Sequence, residues 1–494
     1  MLKSLKRKDL IGVKVTLRIS ENVLTKRIPM PLMPTNSLEE KGDETFMKNR
    51  LVWNEEMELM PDEKMRDIQW RKLKSTLDFV YEKSAFYKKK FDEAGVKPAD
   101  IKSFDDFSAK IPVTTKEDLR NMQKEGYPLG SNMTVPLKDI AWVTASTGTT
   151  GKPTYTCCTN KDWQMWMECI KRMFWLGGIR PEDVHFHALG LSNWISGISF
   201  TQAARELGAT VVSTGVPTPA DRMLMLIQDI GATSMVSTPS YAEHFAERVQ
   251  AMGINPSELG IRKFVCGGEP GAGIPDVKKK IENLWACDLR DLWGSPEMIA
   301  GDKIECHYKT GMHIVNREYC YNEICDPDTR LPLNLKDGVE GAFIYTSLDK
   351  EAGPLIRFDV RDQVKVWTTP CECGYPGIRV TVTGRYDDMM KIKGVKVWPS
   401  TIKDIIAGFA PRLTSQFKII LTQKPMQFRV EGPTSLRVEY GPDVKPEELD
   451  SLKKEIGEKI RMTTLWAPET IELVPPGSIP PPEFKAKYVE VEEP

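Results

Sequence analysis

Between residues 184 and 295 short apolar runs alternate with amphipathic stretches, and this alternation limits the fold more than any other feature of the chain. The segments 184–189, 210–213, 233–237, 263–266 and 288–293 are short and apolar, as buried strands are. Between them, 199–206, 221–229, 240–252 and 274–284 carry helical periodicity. Strands separated by helices pair in parallel, with the helices covering the sheet faces. Residues 53–95 are helical upstream of this unit, with Leu73, Leu77 and Val80 on one face and Phe86 and Phe91 beyond. Past residue 384 the pattern changes to a compact α+β unit, with strands at 417–421 and 436–440 and a helix over 446–462. The expected fold class is α/β: a large domain with a mostly parallel sheet flanked by helices, then a small α+β domain. The boundary falls near 384–387.

A chain of 494 residues exceeds one ordinary core, so at least two domains are expected. A net charge of −1 argues against a nucleic-acid binder, which shows a basic excess. No apolar run approaches a membrane span. Residues 1–27 carry eight Lys/Arg against Asp9 and Glu21, with no apolar core between them, so a secretory signal is not expected. Together with the Pro- and Met-rich stretch 28–52, they read as a basic, solvated extension over 1–52. Ten cysteines in a chain of this length are too few for a disulfide scaffold, and their clustering suggests a reducing, cytoplasmic compartment and a metal.

Chemistry is concentrated first at Ser146-Thr-Gly-Thr-Thr-Gly-Lys-Pro-Thr154. Gly148 and Gly151 let backbone N–H groups turn toward an anion. Ser146, Thr147, Thr149, Thr150 and Thr154 add hydroxyls, and Lys152 adds a positive charge. The glycine spacing is too short for a Walker A loop, and Pro153 follows the lysine. A second segment, Asp291-Leu-Trp-Gly-Ser-Pro-Glu297, ends a strand, where open α/β sheets bind ligands. Here Trp293 and Gly294 could border an adenine, and Glu297 could hold Mg²⁺. A third segment, 355–362, offers Asp362 to both hydroxyls of a ribose. A fourth, 383–394, offers the planar fork of Arg385.

In this order and spacing the four segments resemble the phenylacetate–CoA ligase branch of the adenylate-forming (acyl-CoA synthetase) superfamily. The resemblance runs from about Trp53 to Val489 and includes Ile111-Pro-Val-Thr-Thr-Lys-Glu-Asp-Leu, Gly267-Gly-Glu-Pro270 and Gly477-Ser-Ile-Pro-Pro-Pro-Glu-Phe-Lys-Ala-Lys487. It implies a large ATP- and acid-binding domain over 53–384 and a small mobile lid over 385–494. It also implies a phosphate loop around Lys152, Mg²⁺ on Glu297, and ribose on Asp362. Gly268, Glu269, Pro270 and Arg385 fall in its nucleotide motifs, Asp387 is the hinge, and Lys391–Gly394 lies on the face that swings in for CoA. Lys485 is the lysine of adenylation, with Lys487 the alternative because Phe484 replaces the family's usual glycine. A second departure is Pro296, which stands where a Ser or Thr is usual and removes a hydroxyl and an N–H.

Cys371-x-Cys373 followed by Gly374 forms a knuckle able to present two thiolates, which Cys306 and His313 would complete to a tetrahedral site. His307 competes with His313. The resemblance also implies structural zinc here, since some relatives in this branch look to carry one from similar positions. Residues 186–198 align with a segment lining the acid site in relatives, so Trp142 and Trp194 are the candidate walls for an aromatic acid. The resulting expectation is a cytoplasmic ATP-dependent acid–CoA ligase for an aromatic or arylacetic carboxylate, using ATP, CoA, Mg²⁺ and structural Zn²⁺. Its partner is a small carboxylic acid, and a homodimer is left open. The alternatives are an adenylyltransferase or another acceptor, and a degenerate nucleotide-binding scaffold.

Overall fold

A computed structural model describes residues 51–126, 129–145, 154–215, 218–298, 301–386, 388–393, 395–423, 429–430, 432–480 and 487–492. The three longest helices before the first described strand are α1 (Asp62–Lys83), α2 (Ala85–Glu93) and α3 (Lys116–Glu125). The α1 residues Leu73, Leu77 and Val80 bury together against Phe91 of α2, as their spacing requires. A short antiparallel pair follows, β1 (Trp142–Ala145) with β2 (Tyr155–Cys158). Next come α4 (Asn160–Leu176), β3 (Val184–His187), α5 (Ile195–Leu207), β4 (Thr210–Ser213), α6 (Ala220–Ile230) and β5 (Ser234–Ser237). The unit closes with α7 (Pro239–Ala251), β6 (Lys263–Cys266), α8 (Pro275–Trp285) and β7 (Asp288–Trp293).

Strands β4, β3, β5, β6 and β7 are neighbours in that order, all parallel. Consecutive residues point to opposite faces. Thus Phe186, Met235, Phe264 and Leu289 enter one core with Phe245 and Trp285 of α7 and α8. Val236, Val265 and Leu292 enter another core with Trp166, Phe174 and Phe200 of α4 and α5. Both faces are covered, which is why these strands read as continuous apolar runs. At the end of β6 a Cβ on Gly267 would stand 2.5 Å from the Leu292 carbonyl oxygen, so only glycine lets the two strand ends approach so closely.

The expectation of a mostly parallel sheet holds for β3–β7, but the sheet then continues in antiparallel sense. The added strands are β8 (Lys303–Glu305), β9 (Met312–Ile314), β10 (Cys320–Cys325), β11 (Glu340–Ser347), β12 (Phe358–Trp367) and β13 (Arg379–Arg385). Among the described residues the order is β10-β11-β12-β13-β9-β8-β7-β6-β5-β3-β4, so the sheet is mixed. No helix intervenes between these later strands, so their connections permit antiparallel neighbours. Strand β13 joins two partners: Arg379 lies opposite His313 of β9, and Arg385 lies opposite Asp362 of β12.

The C-terminal part has its own core, built around Phe417, Ile419, Leu436, Val438, Ile456 and Ile460. It holds β14 (Met390–Ile392), β15 (Val395–Val397), α9 (Pro399–Ala407), β16 (Leu413–Leu421), β17 (Arg429–Val430), β18 (Thr434–Tyr440), α10 (Leu449–Thr464), β19 (Thr470–Val474) and β20 (Val489–Val491). It touches the larger part through Lys403 of α9, whose ammonium donates to the Pro270 carbonyl at 3.0 Å. Lys280 of α8 donates to Ser415 Oγ at 2.7 Å. No described helix is long and apolar enough to cross a membrane.

Candidate active site

Three of the sequence segments meet at the end of the parallel strands. Asp362 is buried, and Arg385 Nη1 donates to its Oδ1 at 2.6 Å from the residue directly opposite in β13. Trp293 Nε1, at the end of β7, donates to the other oxygen, Oδ2, at 3.1 Å. Both carboxylate oxygens are thus held in place by donors from two other strands. Arg361, just before Asp362, has φ +68, and Arg357 has φ +46; both lie in the left-handed region, unusual for arginine. Such backbone persists only where the surroundings enforce it. The Trp293 ring packs edge-on to Phe343 at 4.7 Å, and Lys303 stands 4.6 Å from its centroid. The fully buried Lys303 pairs with Asp302 at 2.7 Å, and Asn316 Nδ2 donates to the same Asp302 oxygen at 2.7 Å.

Glu297 is 4% exposed. Its backbone oxygen accepts from the Tyr345 hydroxyl. Its Oε1 lacks a hydrogen-bond partner, because Lys116 stands 3.4 Å away without hydrogen-bond alignment. An incompletely partnered buried carboxylate oxygen suits a hard cation, so Glu297 fits Mg²⁺. Lys116 was not picked out as a site residue from the sequence. The signal available was Thr115-x-x-Asp118: each side chain accepts from the other's N–H, which starts α3 at Lys116.

Gly268 and Trp194 meet: a Cβ on Gly268 would lie 3.2 Å from the buried indole. The residue before Trp194, Asn193, accepts from Ala145 N at 2.9 Å, which ties β1 to this region. Trp142, at the other end of β1, is 37% exposed and packs on Trp163 at 5.7 Å. Glu269 accepts from Ser240 N at 2.8 Å. Lys391 is exposed on β14. Lys487 is exposed, and its carbonyl accepts from Lys418 Nζ at 2.7 Å. Residues Ser146, Thr147, Gly148, Thr149, Thr150, Gly151, Lys152, Asp387, Gly394 and Lys485 lie outside the described residues.

The metal-ligand cluster assembles as its residue types suggest. The ligand atoms of Cys306, His313, Cys371 and Cys373 all lie within 4.8 Å of one another. Cys306 Sγ is 3.6 Å from Cys371 Sγ, and Cys373 Sγ is 3.4 Å from His313 Nε2. Four ligands about 2.3 Å from a tetrahedral ion would be spaced by roughly 3.5–3.8 Å, so the donor set and its edges fit a tetrahedral metal. Hydrogen bonds from Cys373 and His313 hold the Cys306 thiol well below the usual thiol range, favouring the thiolate. His307 instead packs on Tyr308 at 4.3 Å. Behind the cluster, Tyr375 N donates to Cys373 Sγ at 3.4 Å, and the Tyr375 hydroxyl donates to Glu58 Oε1 at 3.3 Å. Burial pushes the Glu58 carboxyl up to about 7.

Residues 71–341 match the family of AMP-binding enzymes, and residues 394–490 match the AMP-binding enzyme C-terminal domain. The chain is 32% identical over 446 residues to a phenylacetate-coenzyme A ligase of Thermus thermophilus, covering 87% of this chain and 97% of that one. Among solved structures, 2-hydroxyisobutyryl-CoA ligase in its postadenylation state superposes with a TM-score of 0.82 at 27% identity, over 90% of this chain and 93% of that one. The same ligase with CoA in its thioesterification state covers the same shares at 28% identity and gives 0.66. The chain therefore belongs to the AMP-binding enzyme family. Within that family it is an AMP-forming, adenylate-forming acid–CoA ligase.

Proposed function

We propose that this ligase activates an aromatic or arylacetic carboxylate. The observation carrying the reading is the Trp293–Asp362–Arg385 trio, closed around the buried Asp362 carboxylate, in a chain 32% identical to a phenylacetate-coenzyme A ligase. A carboxylate is a poor acyl donor because its oxide is a poor leaving group. In the first half-reaction one carboxylate oxygen attacks the α-phosphorus of ATP, and the bond to pyrophosphate breaks. In the second, the CoA thiolate attacks the acyl carbon and AMP leaves with the bonding pair.

Asp362 accepts the ribose hydroxyls, and Arg385 holds Asp362 and the nucleotide. Gly268, Glu269, Pro270 and Gly294 border the base. Trp194 forms an apolar wall for the acid, with Trp142 at the rim. Ser146–Gly151 and Lys152 cradle the phosphates, and Lys485 neutralises the carboxylate as it attacks. Glu297 would hold Mg²⁺, which would supply positive charge against the polyphosphate. Cys306, His313, Cys371 and Cys373 would hold zinc in a structural role, since four protein donors would leave no open position. The small domain begins near Gly384–Asp387 and turns about Asp387, carrying Lys391–Gly394 inward for thioester formation. The higher TM-score with the postadenylation state supports assigning the present arrangement to the first half-reaction.

A pyrophosphate-release screen over aromatic, arylacetic and aliphatic acids, followed by CoA-dependent AMP release, tests the reading. A preference for aliphatic acids removes the substrate class, and AMP release indifferent to CoA removes the acceptor. Lys485→Ala abolishes adenylation yet spares thioester formation from supplied acyl-adenylate. The same phenotype from Lys487→Ala alone reassigns the lysine.

A further inference from the structure

Lys350, on the turn after β11, is 5% exposed, and its ammonium has no ion pair or hydrogen bond among the described residues. Its stem is buried while its ammonium meets no acceptor among the described residues, so the charge is left available to a ligand. The turn that carries it is fixed on both sides. Asp162, in the first turn of α4, accepts from the N–H groups of Glu351 at 2.7 Å and Ala352 at 2.9 Å. Asp349 pairs with Lys72 at 2.5 Å, and Leu348 N donates to the Tyr319 carbonyl at 2.7 Å. The cation is therefore held in place before any ligand arrives. Its charge opposes the burial that raises the Cys157 and Cys158 thiols, which puts the ammonium close to β2.

Lys350 and Glu297 line the same cavity, together with Tyr155, Thr156, Cys157 and Leu355. About 20 Å³ of it is open to water-sized groups, enough for one anionic oxygen to reach in. A lone acid carboxylate there would meet Glu297 as a like charge. A phosphate oxygen accompanied by a divalent cation meets both walls favourably, the cation at Glu297 and the oxygen at Lys350. We infer that Lys350 binds the pyrophosphate end of the nucleotide. The inference rests on the ligase reading above.

The test is calorimetric titration of the full chain with magnesium pyrophosphate, beside thermal melting. Lys350→Met weakens binding about 10- to 100-fold, as loss of a charge-assisted hydrogen bond does. Its melting temperature stays within a few degrees, because the ammonium makes no ion pair or hydrogen bond among the described residues that the substitution would remove. If the methionine variant does not fold, Lys350→Gln takes its place with the same expectation. Affinity within about twofold of wild type overturns the inference. So does a change confined to the KM of the acid, which assigns Lys350 to the carboxylate instead. Wild type that binds pyrophosphate through Lys350 yet exchanges it with no acid sinks the ligase reading and leaves the Lys350 site standing.

Discussion

The cysteine cluster and the Glu297–Asp362 region are both built from segments about sixty residues apart, yet they are finished differently. The cluster is closed: its four donors face one another, and Tyr375 and Glu58 seal its back. The nucleotide region is open. Asp362 is occupied by Arg385 and Trp293, Glu297 keeps an oxygen without a hydrogen bond and faces Lys116 at 3.4 Å, and Lys350 makes no ion pair or hydrogen bond among the described residues. A closed site supports the fold, whereas an open one stores unmet interactions for a ligand. Substitutions in the cluster should therefore move stability first, and substitutions around Glu297 should move turnover first.

The largest effect is expected at Cys306→Ser, which removes one of four metal donors. Zinc content falls from about one per chain, and stability drops by on the order of 5 kcal/mol. Elemental analysis with chemical denaturation reads both, and a variant that keeps wild-type stability would end the division between the two sites. Glu297→Gln comes next. Pyrophosphate exchange falls about 100- to 1,000-fold, while the melting temperature stays within a few degrees. A large loss of stability instead would place Glu297 on the structural side.

Glu58 sharpens the closed side through pH. Because burial raises its pKa from 4.5 to about 7, the folded protein holds this proton more tightly than the unfolded chain does. Unfolding between those values releases it, so raising pH across the window favours unfolding, by about 3 kcal/mol in all. Denaturation at pH 5 and pH 8 should show stability lost toward pH 8, and Glu58→Gln should flatten that slope. Asp362→Asn is expected to raise the KM for ATP about tenfold and leave the KM of the acid alone. Pro296→Thr restores a hydroxyl and shifts kinetics by no more than about tenfold. If it instead creates exchange where wild type has none, the chain is a degenerate ligase.

The parallel half of the sheet was legible because each strand is followed by a helix, and a change of period marks every boundary. Predicted and observed limits coincide for β4, β6 and β7, and differ by one residue for β5 and two for β3; helix α5 starts four residues earlier than its pattern, at Ile195. The antiparallel strands β8 to β13 escaped because nothing punctuates them, and their burial depends on partners far away in the chain. Candidate residues with distinctive chemistry, such as Cys371, Cys373 and Asp362, stood out from their neighbours. Lys116 and Lys350 did not, since a lysine in a polar stretch looks solvated until the fold buries it. Trp293 was expected as a wall for adenine, but its N–H contact with Asp362 follows from the crossing of two strands.

Strand β13 acts on both sites as a gauge of fixed length. Arg379 meets the His313 position at one end, and Arg385 meets Asp362 at the other, roughly 20 Å along the same ribbon. A bulge falls between those ends: Gly384 lies opposite Gln363 and Val382 opposite Val364, so Thr383 is an extra residue of β13 with no residue opposite it on β12. The span from Arg379 to Arg385 therefore covers five steps of β12 with six of its own, and the position of the extra residue decides which side chains of β13 face each site.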